Sequence, residues 1–415
     1  MKFYFQILLI SIAIFTIIGC ELDVIPVEIP EHEPSELKGT SKVSSFIKNA
    51  TEGLYVSNNV SKPFGDTIVL KWSQDILSVF TGKNTTYMVL NTGTKADEII
   101  FEGYWRNANS NETGAVLLKI SSENGAKELL KGTNPLNIMI AGIYDRIAAQ
   151  NLKDFAYRRI DDLNPGKENY RIIAHKGGGR NFDRLPHSEN SIELIKYCSY
   201  LGANSVELDV QLSKDKIPVL FHDNYLSLRT VNNQYLIGKV SDYYLKQLQQ
   251  LTTLKYGELI PTLDKALDAI IMETELKLVW LDVKNPDAIA LVKPIQQKYI
   301  EKSAQLGRNV EILIGLSTAD VLNRFKESPD YNTVPSLCEL DENDVIDVGA
   351  LAWAPRWSMG LLNERVRTIQ SLGKRAFVWT IDDLVLIKKF INESNFDGIV
   401  TNYSPVVAYE YYKSK

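Results

Sequence analysis

Arg171-Ile-Ile-Ala174, the loop His175-Lys-Gly-Gly-Gly179, a helically spaced run from Asn190 to Leu201 and then Ser205-Val-Glu-Leu-Asp-Val-Gln211 follow one another in this chain. The order is strand, loop, helix, strand, and it decides the fold. Short apolar runs bounded by glycine and asparagine are strands buried on both faces, and a helix between two of them makes a parallel β-α-β unit. The rhythm continues through Ile217 to Phe221, Lys277 to Val283, Val310 to Leu316, Ala376 to Trp379 and Gly398 to Thr401, with helical stretches between. Alternation on this scale over residues 165–415 predicts an α/β protein with a (β/α)8 TIM-like barrel. Val334 to Leu337 and Val348 to Ala352 compete for the remaining strand, which leaves one apolar run too many.

Polar residues recur at the C-terminal ends of these runs. His175 ends the first; Glu207 and Asp209 lie two apart in the second and point to one side of it. His222 and Asp223 end the third, and Asp282 and Lys284 end the fourth. A barrel gathers such ends at one mouth, where active sites form. Glu207, Asp209 and Asp282 make an all-oxygen cluster that repels itself unless a hard cation lies between its members, so a divalent ion, Ca²⁺ or Mg²⁺, is expected. Two histidines suit general acid and base work near neutral pH. Lys176 and Lys284 supply positive charge for an anion, and Gly177 to Gly179 let the backbone approach it. These are the parts that cleavage of a phosphate ester requires.

Ala174-His175-Lys176-Gly177, Ser188-Glu189-Asn190-Ser191, Val206-Glu207-Leu208-Asp209-Val210 and His222-Asp223 together resemble the glycerophosphodiester phosphodiesterases. The likeness continues through Ile260-Pro261-Thr262-Leu263, Leu281-Asp282-Val283-Lys284, Val378-Trp379-Thr380 and Asp397-Gly398-Ile399-Val400-Thr401. It covers most of residues 170–415 in order, and none of residues 41–150. The resemblance implies release of glycerol 3-phosphate and an alcohol from a glycerophosphodiester. The substrate's own glycerol hydroxyl would attack phosphorus, and water would open the cyclic ester. It implies His175 and His222 as proton carriers, Glu207, Asp209 and Asp282 as metal ligands, and Lys176, Lys284, Trp379 and Glu189 as substrate contacts. Four departures stand out: Lys176 where arginine is usual, Asp282 where glutamate is usual, Ser188 for proline, and Asn402 where an acidic residue is common. Since both histidines and all three carboxylates survive, an enzyme is favoured over an inactive barrel that only binds phosphodiesters of the cell envelope. A lysophospholipid or glycerophosphoinositol is the alternative substrate.

Outward from the barrel, residues 41–150 change rhythm. Thr67 to Trp72, Thr86 to Asn91, Glu98 to Glu102, Gly114 to Ile120 and Asn137 to Ala141 are short alternating runs separated by turn residues. They predict a small all-β antiparallel domain. Tyr144 to Asp162 read as a helix. Trp72, Tyr104 and Trp105 are either core or the lining of a groove for a glycan or lipid. Residues 21–40, with Pro26, Pro30 and Pro34 among acidic residues, read as an extended tether able to reach at most roughly 65 Å. Residues 1–20 combine one lysine, an apolar run from Phe3 to Gly19 and a terminal Cys20. They predict a bacterial lipoprotein-type signal peptide, lipidation of Cys20 and a lipid-anchored place in the cell envelope, facing the periplasm or the exterior.

Composition agrees. The 415 residues are 45% hydrophobic and 23% charged, and 46 basic against 51 acidic residues leave a net charge of −5. That gives no basic stripe for nucleic acid. Three cysteines build no disulfide framework, and four histidines without a Cys-x-x-Cys pair make a zinc site improbable. His187, in a loop, and Cys198 and Cys338 are expected to be structural.

Overall fold

The structure, a computed structural model, describes residues 24–31, 35–58, 62–146, 149–164 and 169–414. The expected signal, Cys20 and His32 lie outside the described residues. No helix among the described residues is long and apolar enough to cross a membrane.

The first body is a closed antiparallel barrel of eight strands, each paired with the next: β1 (Gly53–Ser57), β2 (Thr67–Ser73), β3 (Ile76–Thr81), β4 (Thr86–Lys95), β5 (Glu98–Asn107), β6 (Thr113–Ile120), β7 (Met139–Arg146) and β8 (Ala149–Asp161), which closes on β1. The helix expected over Tyr144 to Asp162 is therefore two strands, whose partners in the neighbouring hairpins outweigh local helical spacing. Strict alternation sorts the side chains. Ile68, Leu70 and Trp72 face the interior with Phe101 and Trp105, while Val69 and Tyr104 face outward. Gly103 is required where β5 crosses β4, since a Cβ there would lie 2.1 Å from the Val89 carbonyl oxygen. Trp72, Tyr104 and Trp105 are all buried, so they line no open groove.

The second body is the expected (β/α)8 barrel. Its parallel strands are β9 (Arg171–Ala174), β10 (Ser205–Leu212), β12 (Leu278–Val283), β13 (Glu311–Leu316), β14 (Ser336–Cys338), β15 (Ala352–Trp353), β16 (Arg375–Val378) and β17 (Gly398–Thr401), which closes on β9. The surplus apolar run is β11 (Pro218–Leu220). It returns antiparallel along the C-terminal end of β10 and takes no place in the ring. Both competing runs are barrel strands, and Asp282 and Lys284 end the third strand of the ring, not the fourth. His222 reaches the mouth from β11, carried by this antiparallel return.

The two barrels share one core. Val69, Phe80, Tyr87, Val89 and Tyr104 on the outside of the first pack with Cys198, Leu201 and Ala408 of the second. Gly202, at φ +90°, lets Phe80 approach; a Cβ there would lie 2.8 Å from its ring. Ser78 Oγ donates to the Tyr200 carbonyl at 2.7 Å, and Arg106 donates to the carbonyls of Asp183 and Arg184 at 2.6 and 2.7 Å. The described parts of the tether also lie on the protein. Val27 N–H donates to the Arg184 carbonyl at 3.1 Å, and Glu36 N–H donates to Glu102 at 2.6 Å. Those residues contribute no free reach.

Phe80→Ala empties the middle of the shared core and is expected to cost about 3–5 kcal/mol. Urea denaturation should show one cooperative transition moved to lower denaturant. Two transitions, with only the first shifted, would contradict a common core.

Candidate active site

Strand ends and one antiparallel return place seven of the expected residues around one mouth. The ligating oxygens of Glu207, Asp209 and Asp282 all lie within 4.8 Å of one another. Glu207 and Asp209 are buried, because strands of this barrel are covered on both faces. Burial, then the charges of Asp209 and Asp282, hold the Glu207 carboxyl well above the usual glutamate range. Asp209 is buried as well, yet Lys284 at 2.9 Å and the two histidines outweigh that burial and keep it below its usual value. Lys284 also pairs with Asp282. Burial would lower its pKa, but the three carboxylates outweigh it and raise it. One ammonium thus faces three carboxylates. Glu207 Oε1 and Asp282 Oδ1 are buried and accept no hydrogen bond. Orphaned carboxylate oxygens in an all-oxygen cluster fit a hard divalent cation.

The remaining donors orient this cluster. Lys176 N–H donates to Glu207 Oε2 at 2.8 Å, from a residue held at φ +53°. Asn190 donates to Asp209 Oδ2 at 2.8 Å and accepts from the Asp209 N–H at 3.1 Å, which fixes both residues. Glu189 is buried beside Arg229, which also holds Asp223. It accepts both terminal nitrogens of Arg229 at 3.0 and 3.1 Å, and Lys176 Nζ lies 3.8 Å from it. Glu189 and Lys176 therefore brace one another and Arg229 in this structure.

The two histidines have opposite partners. His175 Nδ1 is 2.9 Å from Asn402 Oδ1, and Asn402 Nδ2 donates to Asp382 Oδ2 at 2.7 Å. A carboxylate only accepts, so it turns the Asn402 amide with its oxygen toward His175. Nδ1 carries the proton, and Nε2, 3.8 Å from Glu207 Oε2, is left with its lone pair. Burial outweighs nearby Asp209 and lowers the His175 pKa, so the ring is neutral. His222 Nδ1 instead meets a carboxylate, Asp223 Oδ1, at 2.6 Å, and Arg229 Nε holds the other oxygen at 2.8 Å. Burial of Asp223 is outweighed by these two donors, which keep it ionised. One histidine is oriented by an amide and the other by a carboxylate.

Trp379 stands half-buried at the rim, its Nε1 donating to the Ala354 carbonyl at 2.7 Å and the Arg356 guanidinium 4.6 Å above its ring. Sequence reasoning missed Asp382, Glu339 and Arg356. Glu339 ends β14, one of the two runs that competed for a single place; the strand-end rule would have found it had both been counted. Asp382 lies three residues past Trp379 and acts through Asn402, a pairing that no spacing reveals. His187 lies outside the cluster, 3.5 Å from Glu258. Burial raises both the Cys198 and Cys338 thiols to about 12, so neither is a nucleophile.

Residues 175–405 match the model of the Glycerophosphoryl diester phosphodiesterase family, more than half of the chain. The chain belongs to this family of phosphoric diester hydrolases. A glycerophosphodiester phosphodiesterase of Caldanaerobacter subterraneus subsp. tengcongensis is 29% identical over 241 residues, 56% of this chain and 93% of the relative. Human glycerophosphodiester phosphodiesterase 1 is 28% identical over 152 residues, 35% of this chain and 42% of the relative. Among solved structures, an Oleispira antarctica phosphodiesterase in complex with the product sn-glycerol-3-phosphate is 21% identical, covering 57% of this chain and 94% of that chain with a TM-score of 0.45. None of these comparisons accounts for the first barrel.

Glu339 tests the electrostatics of the mouth. Burial, then Asp282, raise its carboxyl to about 8, against an ordinary glutamate value of about 4.3. In metal-free protein its contribution to stability is full below about 4.3, where folded and unfolded states are both protonated, and is lost as pH climbs through about 8. Glu339→Gln is expected to flatten that fall in denaturation curves recorded in chelator across this window. An unchanged slope would remove Glu339 from the buried cluster.

Proposed function

We propose that this enzyme cleaves glycerophosphodiesters to glycerol 3-phosphate and an alcohol, with Ca²⁺ or Mg²⁺ held by Glu207, Asp209 and Asp282. The observation that carries this reading is the pair of histidines with unlike partners flanking one buried carboxylate cluster. Glu207, Asp209 and Asp282 would hold the cation, which would supply Lewis acidity for the phosphoryl chemistry. The chain's own residues do the rest. Neutral His175, its Nδ1 proton committed to Asn402, accepts the proton of the attacking glycerol hydroxyl at Nε2. His222, oriented through Nδ1 by Asp223, gives a proton to the departing alkoxide. The two exchange roles when water opens the cyclic ester. Lys284 offsets charge on the phosphate, and Trp379 walls the pocket.

The same reading keeps Cys20 as the lipidation site and places the enzyme on the bacterial cell envelope. The support is the apolar run from Phe3 to Gly19 ending at that cysteine. Residues 53–161 serve as a structural cover for one flank of the catalytic barrel, because their outward apolar side chains continue its core.

His175→Ala and His222→Ala are each expected to lower turnover on glycerophosphocholine by roughly 10²–10⁴-fold, read as glycerol 3-phosphate release. A folded His222→Ala enzyme of full activity would overturn the assignment. Asp282→Glu gives position 282 the length that the resemblance makes usual there and is expected to retain activity while tightening cation binding, measured by calorimetry. A folded but inactive Asp282→Glu variant would show a pocket rebuilt around aspartate.

A further inference from the structure

We propose that the mouth of the catalytic barrel faces a lipid bilayer, with its aromatic rim resting in the headgroup layer. The proposal rests on the reading of Phe3 to Gly19 as a membrane-directed segment, and it adds an orientation. Val24 to Glu31 do not run free; Val27 N–H is bonded to the carbonyl of Arg184. Arg184 belongs to the loop that follows β9, so the chain passes along the mouth side of the barrel. Three residues separate Val24 from Cys20, a path of at most about 14 Å. An anchor at Cys20 is therefore held close to that face, and a lipid surface is the occupant that so short a leash brings to it.

The surface there has matching chemistry. Six aromatic residues among the described ones are exposed: Phe46, Phe182, Tyr225, Tyr235, Tyr244 and Trp357. All except Phe46 lie in segments that follow strand ends at the mouth, after β9, β11 and β15. Phe182 is 71% exposed, Tyr235 81% and neighbouring Ile237 79%, which is costly in water and favourable at a membrane interface. Lysines accompany them, with Lys239 5.8 Å from the Tyr225 ring and Lys214 5.2 Å from the Tyr244 ring. Amphipathic ring and ammonium together suit the boundary between acyl chains and anionic headgroups. The rim is also firm. Val231, Leu236, Val240 and Leu254 form a small core beneath residues 225–244, and Arg180 and Asn181 fix the Phe182 loop through Asp183 and Glu189. Exposure here belongs to a fixed surface.

The full chain, purified with its N-terminal segment and reconstituted into vesicles of phosphatidylethanolamine and phosphatidylglycerol, provides the test. Ile237→Cys and, separately, Leu372→Cys would each carry a fluorescent label; Leu372 lies where the chain enters β16, at the opposite end of the barrel. Doxyl-labelled lipid is expected to quench most emission from position 237 and leave position 372 unchanged. Equal quenching at both positions, no quenching at 237, or a protein that does not float with the vesicles would overturn the orientation. Hydrolysis of soluble glycerophosphocholine by the same samples separates the two readings. Hydrolysis without quenching at 237 fails the orientation alone, and quenching without hydrolysis fails the catalytic reading alone.

Discussion

Three carboxylates held side by side at the end of a parallel sheet, two buried and one half-buried, are the constraint from which the rest of the site follows. Desolvation and mutual repulsion both penalise their charge, and donors and a cation gather around them. Lys284 sits against Asp209 and Asp282, Asn190 donates to the other oxygen of Asp209, and the backbone of Lys176 adopts a left-handed conformation to offer its N–H to Glu207. The remaining unpaired oxygens are the capacity left for a divalent ion. A cluster of this kind would be a liability in a protein selected only for stability; its chemistry fits a divalent cation.

The histidines show how second partners divide labour between identical side chains. An amide on one side and a carboxylate on the other give His175 and His222 different surroundings without any difference in the residues themselves. Asp382 and Arg229 decide the outcome from one contact further out. One orients the amide of Asn402, and the other keeps Asp223 ionised. An asparagine at position 402 thus has a physical consequence: it leaves His175 with a neutral acceptor.

Much of this was legible in the residues. Strand-end polarity found both histidines, the three carboxylates and Lys284, because a barrel converts sequence position at a strand end into spatial position at the mouth. It failed where tertiary pairing overrides local pattern. The run at Pro218–Leu220 reads like any buried strand, yet it pairs antiparallel outside the ring. Residues 149–161 carry helical spacing but complete an antiparallel barrel. The resemblance implies Glu189 and Lys176 as substrate contacts, and the structure adds that they lie against Arg229 and one another. Trp72, Tyr104 and Trp105 illustrate the opposite case: strand aromatics belong to cores unless something opens a groove beside them.

Release of glycerol 3-phosphate from a panel of deacylated phospholipids, with chelator and after return of Ca²⁺ or Mg²⁺, tests the central claim most directly. The account expects hydrolysis of at least one glycerophosphodiester, its loss in chelator and its recovery with one of the two cations. Hydrolysis that persists undiminished in chelator would separate the carboxylate cluster from the chemistry, and no release from any member with cation supplied would contradict the enzyme assignment itself.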